Sequence, residues 1–595
     1  MSHIQMRRGP VSGVPGAHAC ALGDPWSASA AREWRQFRLL NRDSLRRLLN
    51  AAVLSREADP WQFAIWGTAL AAVPPSMFAF GQMFKYAALR RAVPIEVEQI
   101  LLVDRMFFIV YAIVTTALLA ALTWEALLPD RTDQEIMGVL PVRARTVAAA
   151  QLAAALTMAL LFASAVHIPS AVVFALIAAA NPVVGSIVPV FVGHIVATIG
   201  AALTTFAALL VVRGIAAMTL SASAANALAG VLQLASVAAL IETFLYMPTL
   251  LPRFVRQLFD GAAASVQMPP VWFAAIYQFI AGPWHAPFAA PARAAAIAIA
   301  ATVVVVIPVY VIPSAWIARR ALSSPSKQGM RWAAMIIRIW TVTLSRVAPT
   351  RGVLAFTLAT FTRSRRHVFV VLTYIGVGVS LAAVGVVAAT VRRTLVLDQP
   401  AAYLLALPLV LMFFAALGLR VAFGIPVDID ANWIFRQCDA HVRHAASGAR
   451  GALLAVAVYP IAAAATATAW LLGWGAGVAV TVGTFEVVAG ALLVEAVTYG
   501  WHTIPFARAY APAVETLKSR ALVVLIPLNL FAYRGADAQM AALGSTRAMV
   551  IYLAVVVVAS ILVGGASRRE SSRVGLRFER DREDGMAVLS LSDAG

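Results

Sequence analysis

Long apolar runs separated by short, polar and mostly basic connectors dominate this chain. Runs near 20 apolar residues, the length that crosses a hydrocarbon core of about 30 Å, fall at 61–86, 100–128, 147–178, 187–212, 224–245 and 295–317. A second set follows at 368–389, 402–423, 452–472, 478–497, 522–533 and 549–563, of which the eleventh is short and interrupted by Pro527. The pattern predicts an all-α polytopic helical membrane protein, with about twelve transmembrane helices in two six-helix halves.

Two stretches carry a different pattern, apolar on one side of a helix and basic on the other. In 31–55, Trp34, Phe37, Leu40, Leu48 and Leu49 alternate with arginines. In the segment between the halves, Trp332, Ile336, Ile337, Trp340 and Leu344 recur at helical spacing. Both suit amphipathic helices lying at a membrane surface, one leading into each half. The chain therefore divides into a cytoplasmic leader with an interfacial helix (1–60), a first six-span half (61–318), a basic amphipathic linker (319–366), a second six-span half (367–565) and a disordered cytoplasmic tail (566–595). The long connector 252–291 contains an apolar run at 268–282 that is too short to span, which predicts a re-entrant or surface-lying helix before the sixth span.

Composition narrows the class. Of 595 residues 61% are hydrophobic and 13% charged, whereas soluble domains carry about 25% charged residues. The net charge of +19 fits cytoplasmic loops and anionic lipid rather than nucleic acid. Placing both termini in the cytoplasm puts most of the arginines inside. The abundance of alanine and arginine points to a bacterial source, and so to the plasma (inner) membrane. Cys20 and Cys438, the only cysteines, are both expected in the cytoplasm, so no disulfide framework is expected. The first apolar run begins at Trp61 behind a polar leader, and no cleaved signal peptide is expected.

A phosphate-cradling loop needs Gly-Lys-Ser or Gly-Lys-Thr. The three lysines, Lys85, Lys327 and Lys518, follow Phe84, Ser326 and Leu517, so this chain supplies no ATPase and no cofactor site is expected in it. His441 and His444 beside Cys438 and Asp439 read as a solvated loop rather than a metal site. A charge in the centre of a span costs about 2.5–3.5 kcal/mol on insertion scales, which draws attention to His194, Glu242 and Glu486 as a transport pathway. Glu495 and His167 lie nearer to span ends. Structural hydrogen bonding is the competing role for all five.

The polar loop 128–145 after the second span carries Asp130, Arg131, Asp133, Glu135, Arg143 and Arg145 around Ile136, Met137, Val139 and Leu140, a short amphipathic docking element. The stretch from Glu135 through Leu140, Pro141, Arg143 and Arg145 into the third span resembles the permease subunits of type-2 ABC exporters. In that family the corresponding segment is the coupling helix. The resemblance implies that Glu135, Leu140, Pro141, Arg143 and Arg145 dock an ABC-type ATPase subunit, through which ATP-Mg acts. It also implies a path lined by spans 2 and 5 of each half. The interfacial leader helix and the long outer connector agree in position. Many relatives have Gly-Lys where this chain has Ala150-Gln151, and their usual subunit has six spans. The corresponding loop of the second half, with Asn432, Trp433 and Arg436, is proline-led and amphipathic but does not match the motif. Further expected partners are the lipid bilayer and a second copy of the permease. Two other classes stay open: a twelve-span secondary transporter, and a polytopic membrane enzyme acting on lipid-linked substrates.

Overall fold

The computed structural model describes the chain from Pro25 to Val574, with Leu576, apart from residues 53–59, 90–92, 129–140, 182–183, 185, 260–266, 283–287, 322–326, 428–434, 436, 438–440 and 508–525. Among the described residues there is no β-strand, and eleven helices are long and apolar enough to cross a membrane. The protein is an all-α, multi-pass membrane protein. A helix satisfies its backbone groups within its own segment where no water is available.

In the first half, the amphipathic helix α1 (Pro25–Ala52) precedes α2 (Pro60–Gly81), which runs on through the short α3 (Met83–Ala88). Then come α4 (Pro94–Leu122), α5 (Ala144–Ala178), α6 (Ile187–Thr219) and α7 (Ala222–Leu245). Two short helices, α8 (Met247–Phe259) and α9 (Pro269–Ala281), separate α7 from the last span, α10 (Ala289–Ala321). Helix α9 is the expected short helix of the long connector, and it packs inward against α4 and α6. Local signals set several starts. Pro94 and Pro269 stand in the first turn of their helices, where the missing N–H costs nothing. The Ser221 hydroxyl accepts from the Ala224 N–H (3.2 Å) to cap α7.

The segment between the halves forms two helices, α11 (Lys327–Leu344) and α12 (Ala348–Arg363), rather than one amphipathic stretch. Pro349, at the start of α12, favours a new helix there. The second half continues with α13 (Arg365–Val391), α14 (Ala402–Phe423) and α15 (Val442–Leu453). A π-turn at Leu454–Val458 joins α15 to α16 (Tyr459–Leu471). This turn lies immediately before Pro460, which has no N–H to donate to the ladder. After α17 (Ala476–Val497), a second π-turn (Asn529–Tyr533) leads into α18 (Arg534–Leu543) and then α19 (Thr546–Val574).

The expected eleventh span, 522–533, begins outside the described residues; its described part is this π-turn and the residues just before it. The expected tail boundary at 565 is corrected, because α19 stays helical to Val574. Ser567 and Ser571, one turn apart, are buried in this extension, so its inward face is small and polar rather than apolar.

Each half is organised around its second span. In α4, 67% of the most apolar stretch is buried, and in α14 72%, against 44% or less in every other span. The two halves share further pairings. The helix preceding each half packs on that half's third span: α1 on α5, and α12 on α15. The third span packs on the fourth and the last span on the fourth, and the short helix before the last span packs on the second. The outward sides of α2 and α19 carry exposed large apolar residues, among them Trp66, Leu70, Met77 and Phe84, and Val555, Val558, Ile561 and Leu562. Such bands suit lipid contact.

The halves meet where α7 packs on α13. Gln233 donates to the Phe369 carbonyl (2.7 Å) and Thr373 Oγ1 (3.1 Å), and Ser380 donates to the Ala238 carbonyl (3.1 Å). Both sets of partners advance together, so the two helices run parallel. Gly376 permits the close approach, since a Cβ there would meet the Val237 side chain at 2.9 Å.

Candidate functional site

The loops following the two hub spans emerge on the face of the bundle that bears α1. Of the residues assigned to docking in the first loop, Pro141, Arg143 and Arg145 are described, and Glu135 and Leu140 lie outside the described residues. Helix α1 lies directly against this segment. Glu33 forms an ion pair with Arg143 and a longer one with Arg145 (3.8 Å). Gln36 donates to the Pro141 carbonyl (3.4 Å) and Asn41 to the Ala150 carbonyl (3.2 Å). The apolar side of α1, with Leu45 and Leu48, packs onto Leu127, Leu128, Ala155 and Met158. Trp34 and Leu39 remain exposed. Arg143 is also the N-cap position of α5, so any force on this loop is delivered to the start of the third span.

In the second loop Asn432, Trp433 and Arg436 lie outside the described residues, but both flanks are held. The Val427 N–H donates to the Phe506 carbonyl (3.0 Å), the Phe506 N–H donates to the Phe423 carbonyl (2.9 Å), and His367 Nε2 lies 2.9 Å from the Ile425 carbonyl. The Phe506 ring stands edge-on to His367 at 4.5 Å. On the other flank Phe435 is buried against Phe356 of α12 (ring centroids 5.3 Å), with Val353, Ala445, Ile504 and Ala507 around it. Each half's loop therefore sits on the helix that leads into that half. An ion pair between Arg365 at the start of α13 and Glu125 just beyond α4 (2.8 Å) joins the halves on the same face.

The three ionisable residues proposed for a pathway are not brought together. His194 is fully buried among Phe108 (4.6 Å), Phe174 (5.8 Å) and Tyr277 (6.0 Å), and neither ring nitrogen has a partner. Glu242 is half-buried near the end of α7, one turn before Tyr246. Glu486 is fully buried in α17 beside Gln539 of α18. His167 is buried near Tyr111 (6.1 Å). Glu495 pairs with Arg450 (3.0 Å). Arg450 also donates to Thr498 Oγ1 (3.1 Å) and to Ser567 Oγ (3.0 Å), tying α15, the end of α17 and α19 together. Structural bonding thus accounts for Glu495.

One buried polar cluster lacks any counterpart in the sequence reading. Asp104 in α4 is 2% exposed and accepts from Lys85 Nζ at 2.7 Å and from the Tyr86 hydroxyl at 2.7 Å. The neighbouring Arg105 is as deeply buried; it donates to Gln278 Oε1 (2.6 Å) and the Ala281 carbonyl (3.4 Å) and lies 4.4 Å from the Tyr277 ring centre. One adjacent pair of charges in the hub span thus fastens the first span on one side and α9 on the other. Gly193 lets the Tyr277 ring close over it, since a Cβ there would lie 2.7 Å from that ring. Pairing of this kind is invisible in a single apolar run, because the partners come from three separate segments.

Among the described residues no group of three His, Cys, Asp or Glu side chains could hold a metal ion. His441 and His444 instead form a reciprocal cap at the start of α15. No family model, curated protein or solved structure matches the chain.

Proposed function

We propose that this protein is the membrane-spanning permease of an ATP-driven exporter, energised by a separate ABC-type ATPase that docks on the face bearing α1. The observation that carries this reading is the repeated arrangement on that face. In each half, the loop between the second and third spans rests on the helix that precedes the half, through Glu33 and Arg143 in one and Phe356 and Phe435 in the other. A subunit pressing there acts at once on the buried hub span and on the third span of each half. On this reading the face is cytoplasmic, both termini lie inside, and the membrane is a bacterial plasma membrane. ATP-Mg is bound by the partner, since this chain's lysines lie in no phosphate-binding motif.

The test is purification of the tagged chain from its native membrane in mild detergent, with co-purifying proteins identified by mass spectrometry. A stoichiometric P-loop ATPase supports the assignment. Its reproducible absence, together with transport that follows the proton gradient and not ATP, overturns it.

A further inference from the structure

We propose that Glu486 is a membrane-embedded proton-binding site, carried in its neutral form when α17, α18 and α19 are packed together as in this structure. The argument is one of donors and acceptors. Glu486 is 0% exposed at mid-length of an apolar span. Among the described residues neither carboxyl oxygen reaches hydrogen-bonding geometry, although the Gln539 amide lies within reach of it and buried polar atoms are almost always paired. Its polar surroundings come from two other elements. Gln539, also 0% exposed, lies beside it on α18. Tyr552 of α19 stands against the neighbouring Phe485, with ring centroids 4.8 Å apart. Gln539 donates its Nε2 to the Tyr552 hydroxyl (3.3 Å), and its Oε1 is left without a donor.

An ionised Glu486 would place an uncompensated negative charge beside this amide–phenol pair, at 0% exposure in mid-span. A proton on Glu486 removes that charge. The carboxyl O–H donates to Gln539 Oε1, and a chain then runs from Glu486 through Gln539 to Tyr552. Turning the amide over lets it donate one N–H to Glu486 and accept from the Tyr552 hydroxyl, yet the carboxylate's charge stays without a cation. Among the described residues no arginine or lysine pairs with it: Arg450, further along the bundle, is engaged by Glu495. Burial of an ionised carboxylate without a cation is the most costly of these arrangements.

The site also has a means of exchange. Its three members stand on three separate helices, so parting α17 from α18 and α19 breaks the chain and opens the carboxyl to water. Binding and release of the proton are thereby tied to how these helices pack. His194 occupies a related place in the first half, on the fourth span and facing the short helix through Tyr277, but aromatic rings surround it rather than a hydrogen-bonding amide.

Infrared difference spectroscopy tests the proposal on the full chain in lipid, comparing wild type with Glu486→Gln. Expected at neutral pH is loss, in the variant, of a protonated-carboxyl C=O band that shifts in heavy water and does not respond to sodium or potassium. Glu486→Gln, which mimics the neutral acid, is expected to retain the wild-type melting temperature, whereas Gln539→Leu is expected to move the carboxyl band. Loss of carboxylate bands instead shows an ionised Glu486 and overturns the proposal, as does a band that sodium or potassium removes. The spectra need no ATPase partner, so their outcome is separate from that of the exporter reading.

Discussion

Glu33 of α1 reaches across to Arg143, the N-cap residue of α5, and so pins an interfacial helix to the first turn of a membrane span. The carboxylate also faces the positive end of the α5 dipole. Both partners keep contact with solvent, with side chains 36% and 61% exposed. Such pairs contribute only about 0–1 kcal/mol to stability.

The first prediction separates stability from docking. On the exporter reading, Arg143→Ala with Arg145→Ala is expected to leave the melting temperature nearly unchanged and to abolish co-purification of the proposed ATPase. Size-exclusion profiles and quantitative mass spectrometry of the pulled-down complex measure the two properties. Unchanged association removes these arginines from the docking surface.

Asp104 and Lys85 are expected to behave in the opposite way. Asp104 is 2% exposed, and its charge loses its partner in Lys85→Ala. Breaking a buried pair from one side costs on the order of 3 kcal/mol. Lys85 is partly exposed, which lowers the expected loss toward about 2 kcal/mol. Replacing the whole set with apolar residues, Lys85→Met, Asp104→Leu and Tyr86→Phe, the last because its hydroxyl donates to Asp104, is expected to recover most of it. Detergent-denaturation midpoints of the single and triple variants decide this, and a triple variant no better than the single one contradicts it.

Arg450 gathers three elements through Glu495, Thr498 and Ser567. Arg450→Met is expected to cost about 3 kcal/mol and to make the end of α19 sensitive to protease near Arg568. Limited trypsin digestion followed by intact-mass measurement reads the effect. An unchanged digestion pattern would show that the helical extension past 565 does not depend on this network.

At the seam, Ala238→Cys with Ser380→Cys in a background lacking Cys20 and Cys438 is expected to cross-link the halves. A chain cut between α10 and α11 then migrates as one piece until it is reduced. Gly376→Val, by contrast, forces a side chain against Val237; overpacking of this kind costs about 1–3 kcal/mol. Separate migration of the cut, oxidised pieces would rule out the α7–α13 contact.

Much of this architecture is legible in the sequence because lipid imposes length and apolarity on each span independently. The short helix α9 was equally readable, since its run is apolar but too brief to cross. Residues such as Asp104 and Arg105 were harder, because the meaning of a buried charge depends on which other helices bring Lys85, Tyr277 and Gln278 to it. The continuation of α19 is hidden in the sequence for a related reason. Ser567 and Ser571 pack through hydrogen bonds and small size, and a scan for apolar period passes over them. In the second loop Phe435 makes a contact with the preceding helix, and no charge pattern marks it.

The parallel course of α7 and α13 has a mechanical corollary. Two halves that point the same way give the molecule a fixed top and bottom, with both loop-bearing hubs opening on one side. Halves of opposed sense can exchange roles by rocking, each taking the other's shape in turn. Here neither half can stand in for the other across the membrane. On the exporter reading, a driving subunit engages both hubs together from that one side, like a thumb on one end of a clothes-peg.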